Sequence, residues 1–247
     1  MTLALVTGGG SGIGRAIAER LAADGADVLV VDVDEIAAQR TARAVDGRAV
    51  AADVGDPAEW ARLADTIPAL DVACLNAGVV TGEADLDDLS DEAYRRIMRV
   101  NVDGVVLGLR ALIPLLERTG GDAVVTASLA GLTSMASDPV YSATKHFLVG
   151  LVRSAAPGLA ARSVRLNAVC PGIVATPLIG DGRARLEAAG FPLLEPSDVA
   201  EAVALALASG EGGQAWVVQP GRVPEPFRFG GVPGPRVAGA EGVRPPL

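Results

Sequence analysis

The chain has 247 residues, of which half are hydrophobic and only 3% aromatic, and it carries a formal net charge of −9. This length allows one large domain with a full core, and the acidic balance argues against nonspecific binding to nucleic acid or to an anionic membrane surface. With one histidine and two cysteines, a histidine-based metal site or a Ser-His-Asp triad is nearly excluded, and we expect no metal.

Short apolar, valine-rich runs alternate with longer helical patterns along the chain. The strands are predicted at Leu3–Val6, Val28–Val31, Ala49–Ala51, Val72–Leu75, Ala123–Ala127, Val164–Val169 and Ala215–Val218, and the helices near 12–24, 35–45, 57–66, 90–118, 140–161 and 197–208. Asp34, Asp56 and Ser197 are the expected N-caps. Because the strands are continuously apolar, residues 1–219 are predicted to form a single α/β domain. It would have a Rossmann-type doubly wound parallel sheet of about seven strands, with helices on both faces.

A glycine-rich loop, Thr7–Gly14, follows the first predicted strand and opens the first helix. Glycines there permit a tight turn and a close approach of the backbone to a pyrophosphate, and the helix N-terminus supplies free N–H groups. The residues expected to bind a dinucleotide are Gly8, Ser11, Gly12, Ile13 and Gly14. The alternative is an ordinary glycine-rich turn.

Asp32 ends the second predicted strand, 18 residues after Gly14. A carboxylate at this point can accept hydrogen bonds from both ribose hydroxyls of an adenosine, and it would repel a 2′-phosphate. No Arg or Lys follows at once to receive such a phosphate. The sequence therefore predicts NAD(H) rather than NADP(H), with a solvated strand end as the alternative.

Tyr141 and Lys145 place a phenol and an ammonium four residues apart, on one face of a predicted helix. A free tyrosine titrates near pH 10, and a nearby lysine favours the tyrosinate. Lowering the tyrosine pKa by about 3 units would need about 4 kcal/mol of differential stabilisation. Such pairs also arise by chance on helix faces, so the other motifs decide the interpretation.

Together these residues resemble the short-chain dehydrogenase/reductase family, over nearly the whole chain up to about Val218. Besides the glycine loop and the Tyr-Lys pair, the matching motifs are Asn76–Gly78, Asn101 and Ser128. Asp53–Val54 resembles the family's adenine-side pair, and Pro171–Thr176 resembles its nicotinamide-side motif. The resemblance implies further cofactor-binding residues, namely Asp53, Val54, Asn76, Ala77, Gly78, Tyr141, Lys145, Pro171, Gly172, Ile173 and Thr176. Asn76 has an alternative role in shaping the turn after its strand.

The resemblance also implies roles for four catalytic residues. Tyr141 is expected to act as a general base in alcohol oxidation and as a general acid in ketone reduction. Lys145 would hold the nicotinamide ribose and lower the tyrosine pKa, and Ser128 would hydrogen-bond the substrate oxygen. Asn101 would hold a water that links Lys145 to solvent, or it would cap or kink its helix, and both roles can coexist.

Within the family, residues 128–177 look most like the 15-hydroxyprostaglandin dehydrogenases, and this resemblance implies an NAD-dependent oxidation of secondary alcohols. Asp138 departs from these relatives, which have an uncharged polar residue facing the substrate there. It is therefore either a substrate-facing acid, beside Ser128 and Tyr141, or the N-cap of the helix that Pro139 begins. The segment between Thr176 and Ser197, which covers the substrate in the family, is short.

The expected function is transfer of a hydride between NAD(H) and a small or medium, fairly apolar secondary alcohol or ketone. One alternative is a non-catalytic NAD(H)-binding regulator. Another is an NADPH-dependent 3-oxoacyl-carrier ketoreductase, which Asp32 and the acidic surface disfavour, since such a carrier is itself acidic. The resemblance implies a homotetramer or homodimer built on the helices near 97–118 and 140–161.

The two ends of the chain differ in character. Met1–Val6 runs into glycines without a basic region, and Arg110 interrupts the longest apolar segment. We therefore expect no signal peptide, no membrane span and a cytoplasmic protein. From Pro220 to the end, residues 220–247 form a Pro/Gly-rich C-terminal tail, which is either disordered or pinned across another surface by Phe227 and Phe229.

Overall fold

A computed structural model describes residues 2–180, 182–231 and 237 of the chain. Within these residues, eight strands form one sheet: β1 (Leu3–Thr7), β2 (Asp27–Asp32), β3 (Arg48–Ala51), β4 (Val72–Leu75), β5 (Asp122–Thr126), β6 (Arg165–Pro171), β7 (Ala215–Val218) and β8 (Glu225–Pro226). The α-helices are α1 (Gly12–Ala23), α2 (Glu35–Ala44), α3 (Pro57–Thr66), α4 (Asp91–Met98), α5 (Gly104–Leu116), α6 (Pro139–Ala160), α7 (Gly182–Ala188) and α8 (Pro196–Ala208). None of the described helices combines the length and the apolarity that a membrane span requires.

The sheet is covered on both faces, as the continuous apolar strands predicted. Its strand order is β3-β2-β1-β4-β5-β6-β7-β8, and every neighbouring pair is parallel except β7 with β8. Successive side chains of a strand point to opposite faces, so Leu5 packs into one core layer and Val6 into the other. Helices α3, α5 and α6 cover the first layer, and α1, α2 and α8 cover the second. The predicted Rossmann-type architecture is confirmed, with β8 as one strand more than expected.

The strand order reverses between β1 and β4, and ligands of such sheets bind at the carboxyl ends of the strands at this point. Thr7 is the last residue of β1, and Asn76 comes directly after β4. The Asn76 N–H donates to Thr7 Oγ1 at 2.9 Å, and Asn76 Nδ2 donates to the Thr7 carbonyl at 3.1 Å. The N–H of Ala77 also donates to Thr7 Oγ1, at 3.1 Å. These hydrogen bonds fix the two strand ends side by side.

The helix predicted near 90–118 is interrupted in the structure. Helix α4 passes into a π-helical turn, Arg99–Asp103, which continues as α5 and ends at Leu116. Single π-turns occur often at functional sites, and Asn101 lies inside this one. The apolar pattern runs through the turn without a break, so the sequence predicted one helix.

Two of the three predicted N-caps are confirmed. Asp34 accepts a hydrogen bond from the Ala37 N–H at 3.0 Å, and Asp56 caps α3 in the same manner. The prediction of Ser197 as an N-cap is wrong, because α8 begins one residue earlier, at Pro196, and Glu195 is its N-cap. A helix in the segment that follows Thr176 was not predicted; α7 has only seven residues, too few for a clear apolar period.

The C-terminal tail is pinned to the sheet over residues 220–231. Strand β8 pairs antiparallel with β7, and the Phe227 N–H donates to the Ala215 carbonyl at 2.7 Å. The rings of Phe227 and Phe229 meet edge to face at 4.9 Å, and the Arg153 guanidinium lies 3.6 Å from the Phe229 ring centre. Residues 232–236 and 238–247 of the tail lie outside the described part, and the domain boundary at 219 stays a prediction.

Cys74, Cys170 and His146 are of types common in active sites, and the structure places the two cysteines in the core and the histidine on the surface. Cys74 and Cys170 are buried, unpaired thiols, and burial raises the pKa of each to about 12, so both are protonated at neutral pH. His146 lies exposed on α6, with Nδ1 3.0 Å from the Ser142 carbonyl oxygen.

Candidate active site

The glycine loop has the shape of an anion cradle. Gly8 and Gly12 have positive φ angles of 62° and 49°, a conformation that favours glycine. A Cβ at Gly14 would lie 2.1 Å from the Gly8 carbonyl oxygen, so the loop and α1 pack at backbone distance. Ser11 is the N-cap of α1 and makes no side-chain capping hydrogen bond, and Ile13 follows in the first turn. The loop and the helix N-terminus therefore fit a dinucleotide pyrophosphate.

Gly14→Ala is expected to weaken NADH binding at least about tenfold and to lower stability by about 1–3 kcal/mol. The added Cβ would meet the Gly8 carbonyl, so either the loop or the helix must move. NADH fluorescence titration and thermal unfolding measure the two effects. Gly150→Ala is the matched control, because a Cβ at Gly150 on α6 has no neighbour within 4 Å. Unchanged NADH affinity in Gly14→Ala would contradict the role of the loop.

The predicted adenine-side residues lie at the carboxyl ends of β2 and β3. Asp32 Oδ2 accepts a hydrogen bond from the Gly10 N–H at 2.9 Å, which places this carboxylate against the glycine loop. Asp53 Oδ2 forms an ion pair with Arg99 at 2.7 Å, and Val54 is buried beside it. The sequence did not reveal the ion pair, which joins the adenine side to the π-helical turn.

A threonine that the sequence did not single out connects Asn76 to Lys145. The Thr126 hydroxyl donates to Asn76 Oδ1 at 3.0 Å, and the Thr126 carbonyl accepts from Lys145 Nζ at 2.8 Å. A Cβ at Gly78 would lie 3.5 Å from both Lys145 Nζ and Asn101 Oδ1, so the turn after β4 passes close to both. Asn76 therefore does more than shape a turn. The only signal for Thr126 was its place at the end of β5, two residues before Ser128.

Ser128, Tyr141 and Lys145 come together at the carboxyl end of the sheet. Ser128 follows β5, and its hydroxyl acts on Tyr141 as a neighbour that lowers the pKa of the phenol. Tyr141 and Lys145 lie one turn apart on α6, with Lys145 Nζ 5.5 Å from the tyrosine ring centre. Tyr141 is 9% exposed and Lys145 only 3%. The chain thus builds a largely dry group of a hydroxyl, a phenol and an amine.

Burial dominates the electrostatics of this group. Burial raises the pKa of Tyr141, its hydrogen bond with Ser128 lowers it, and the charge of Asp138 raises it further, so that the pKa lies above its ordinary value. Burial lowers the pKa of Lys145 to about 8. The structure therefore does not show the expected lowering of the tyrosine pKa by Lys145, because desolvation is the largest effect and the ammonium points to a carbonyl.

Asn101 holds the turn after β4. It is 1% exposed, its Oδ1 accepts from the Val79 N–H at 2.8 Å, and its Nδ2 donates to the Val79 carbonyl at 2.9 Å and to Thr144 Oγ1 at 3.1 Å. The side chain therefore serves the irregular helix and the turn it contacts. The water-holding role stays a prediction.

Asp138 is the N-cap of α6. Its Oδ1 accepts from the Tyr141 N–H at 2.9 Å, and its Oδ2 accepts from the N–H groups of Thr81 and Gly82 at 2.8 and 3.0 Å. The residue is 2% exposed. The capping alternative is confirmed, and these bonds engage both oxygens that a substrate contact would use.

The predicted nicotinamide-side segment, Pro171–Thr176, runs between Ser128 and the glycine loop. Ser128 Oγ lies 3.5 Å from the Pro171 carbonyl oxygen. At the other end, a Cβ at Gly12 would lie 3.1 Å from Thr176 Cγ2. The remaining predicted residues of the segment, Gly172 and Ile173, lie between these two contacts. The segment therefore links the Ser128 hydroxyl to the dinucleotide loop.

Parallel sheets of this strand order bind dinucleotides where the order reverses, so the fold and the loop place the chain among the dinucleotide-binding α/β proteins. Residues 2–186 match the short chain dehydrogenase family, and the chain belongs to that family. The family resemblance of the sequence is thereby confirmed.

The chain is similar to several alcohol dehydrogenases. Cyclohexanol dehydrogenase from Acinetobacter sp. (strain SE19) is 36% identical over 219 residues, which cover 83% of this chain and 87% of that protein. Cis-4-hydroxycyclohexanecarboxylate dehydrogenase from Sinomonas cyclohexanicum is 40% identical over 218 residues, covering 82% and 87%. Among solved structures, 3-ketoacyl-(acyl-carrier-protein) reductase from Brucella melitensis complexed with NADH superposes with a TM-score of 0.83 at 32% identity, covering 90% of this chain and 98% of that one.

The narrower resemblance to 15-hydroxyprostaglandin dehydrogenases is not supported. These relatives are named for cyclohexanol-type alcohols instead. Residues 128–177 carry the serine, the Tyr-Lys pair and the nicotinamide-side segment, which the family holds in common. A resemblance that is concentrated in residues 128–177 therefore indicates a shared reaction and not a shared substrate.

Proposed function

We propose that the chain is an NAD-dependent dehydrogenase of cyclic secondary alcohols, which reduces the corresponding ketones in the reverse direction. The buried convergence of Ser128, Tyr141 and Lys145 beside a dinucleotide loop carries this proposal. The names of the cyclohexanol and cis-4-hydroxycyclohexanecarboxylate dehydrogenases support the cyclic substrate.

The chain's own residues would bind the cofactor and move one proton. An oxidised nicotinamide held at this site would supply the acceptor for the hydride of the alcohol carbon. The glycine loop would hold the pyrophosphate, and Asp32 the adenosine ribose. Tyr141 Oη would take the hydroxyl proton of the alcohol, while Ser128 Oγ hydrogen-bonds the same oxygen. In ketone reduction Tyr141 would return that proton.

The tyrosine pKa has to fall before Tyr141 can act as a base near neutral pH. Lys145 has a pKa of about 8, so most of this side chain carries its proton at pH 7. Its positive charge, together with that of an oxidised nicotinamide, favours the tyrosinate. Alcohol oxidation is accordingly expected to speed up with rising pH, and ketone reduction to slow.

Exposed apolar side chains between β6 and α8 suit an apolar alcohol ring. Ile173, Leu178 and Phe191 are 37%, 41% and 47% exposed. All three lie in the segment between β6 and α8. Helix α7 lies in the same segment. Large apolar side chains left open to solvent mark a ligand or partner surface. They support a hydrocarbon ring as the substrate.

Asp32→Ala is expected to reduce the preference for NADH over NADPH about tenfold, because the carboxylate that meets the ribose hydroxyls and repels a 2′-phosphate is lost. Dissociation constants of both cofactors measure the preference. Asp34→Ala is the control, since it removes a neighbouring carboxylate that caps α2 and should lower stability without changing the preference. Tighter binding of NADPH than of NADH by the unmodified protein would refute the argument from Asp32.

A 3-oxoacyl-carrier ketoreductase is the second candidate, because the structural relative from Brucella melitensis is a reductase of that kind and is bound to NADH. Comparing acetoacetyl thioesters with cyclohexanone as substrates of reduction separates the two. Faster turnover of the thioester would favour the second candidate.

We also retain a homotetramer or homodimer and a cytoplasmic location as proposals. Tyr94 on α4 and Phe147 on α6 are 47% and 43% exposed, which suits contact between subunits. Sedimentation of the purified chain determines its oligomeric state.

A further inference from the structure

Asp138 is a buried carboxylate that joins two separate parts of the site. Both oxygens accept backbone hydrogen bonds, one from the start of α6 and the other from the turn at Thr81–Gly82. Accepting at both oxygens is the pattern of an ionised carboxylate. Capping α6 requires only the hydrogen bond from the Tyr141 N–H, so the hydrogen bonds from the turn serve a purpose beyond capping.

The turn after β4 is held at two points by two side chains. Asn101 binds both polar groups of the Val79 peptide, and Asp138 binds the next N–H groups at Thr81 and Gly82. The same turn brings Gly78 close to Lys145 Nζ. Loss of the Asp138 bonds would free one end of a segment that lines the amine.

The charge of Asp138 acts on Tyr141 without a neutralising ion pair. No ion pair with Asp138 forms among the described residues. Lys145 lies on the same helix as the tyrosine, and the Cys170 thiol of β6 acts on Lys145. The turn after β4 contributes Val79 and Val80 to the apolar cluster around Tyr141, and α4 contributes Ile97 and Met98. The carboxylate therefore raises the pKa of Tyr141 through a poorly screening medium.

We propose that Asp138 is a positioning residue of the reaction, which fixes the turn after β4 against α6 and whose buried negative charge opposes formation of the tyrosinate. This inference rests on the proposed function and adds a direction to it. A tyrosine kept protonated is a proton donor, so Asp138 biases the site toward ketone reduction. The positive charge of a bound oxidised nicotinamide near Tyr141 would favour the tyrosinate and so oppose this bias.

The composition of the chain gives a direct test. It has two tyrosines, so Tyr94→Phe leaves Tyr141 as the only phenol. In that background, ultraviolet difference absorbance reports the tyrosinate of Tyr141 without any turnover. Asp138→Asn keeps an oxygen for the Tyr141 N–H and removes the charge. We expect it to increase the tyrosinate fraction about tenfold at a fixed pH below the midpoint. The rise of kcat/KM for alcohol oxidation should move to lower pH in parallel.

Two further variants separate the effect of the Asp138 charge on the Tyr141 titration from an effect on folding. Asp138→Ser keeps a capping oxygen without charge and repeats the test if the asparagine variant does not fold. Asp56→Asn makes the same change at the cap of α3 and should leave the Tyr141 titration unchanged. An unchanged titration in both uncharged Asp138 variants, whatever happens to activity, would overturn the proposal. Because the absorbance needs no substrate, this outcome differs from failure of the proposed function, which would show as absent turnover in the unmodified protein.

Discussion

Tyr141→Phe is expected to lower the turnover of cyclohexanol about a thousandfold or more while leaving the affinity for NADH nearly unchanged. Phenylalanine keeps the ring, which packs in a cluster with Ile97 and Ala130, and removes only the hydroxyl that exchanges the proton. A positioned general acid or base contributes about 10²- to 10⁴-fold to a rate, and no other phenol lies in the group. Steady-state kinetics and NADH titration measure the two quantities.

The matched control for this change is Tyr94→Phe. Tyr94 lies on α4 and is 47% exposed, and its loss should leave turnover within about twofold of the unmodified protein. Turnover of the Tyr141 variant close to that of the control would contradict the proton-transfer mechanism.

Lys145→Met is expected to abolish most turnover and, at the same time, to stabilise the protein in the absence of cofactor. The variant loses the charge that favours the tyrosinate, so turnover is expected to fall about a hundredfold or more. It also removes the cost of burying an ammonium. The burial that lowers the lysine pKa from 10.5 to about 8 corresponds to a cost on the order of 3 kcal/mol. Loss of the bond to the Thr126 carbonyl offsets about 1 kcal/mol of the gain.

The stability gained by Lys145→Met depends on pH because burial lowers the pKa of Lys145. The folded protein holds the lysine proton less tightly than the unfolded chain, so burial of the lysine costs no stability above pH 10.5. The cost grows as the pH falls from 10.5 toward 8 and is complete below 8. Thermal unfolding at pH 7 and at pH 10 should therefore show a larger gain for Lys145→Met at pH 7. A variant less stable than the unmodified protein at pH 7 would contradict the account.

Much of the site could be predicted because its motifs are local. The glycine loop, Asp32 and the Tyr-Lys pair each lie within one element or one turn, so spacing along the chain determines their geometry. The apolar runs likewise placed seven strands. One further local signal was present: of the 21 lysine and arginine residues, Lys145 is the only lysine. Unlike arginine, lysine can change its pKa when buried, and burial is what the structure shows.

The rest depends on contacts between distant segments. The bonds of Asp138 to Thr81 and Gly82 span 57 and 56 residues, and no pattern in the chain connects them. The π-helical turn around Asn101 follows from its bonds to Val79, which the helical period cannot show. Burial likewise decides the direction of the Tyr141 pKa, whereas spacing alone suggested only the effect of Lys145.

The most direct test of the central claim is NADH formation by the unmodified chain and by Tyr141→Phe, with NAD as cofactor and a panel that includes cyclohexanol and cis-4-hydroxycyclohexanecarboxylate. NADH is expected to accumulate with the unmodified chain. Almost none is expected with the variant, although both bind NADH equally. Cofactor binding without turnover of any alcohol or ketone in the panel would contradict the claim and would favour a non-catalytic NAD(H)-binding regulator.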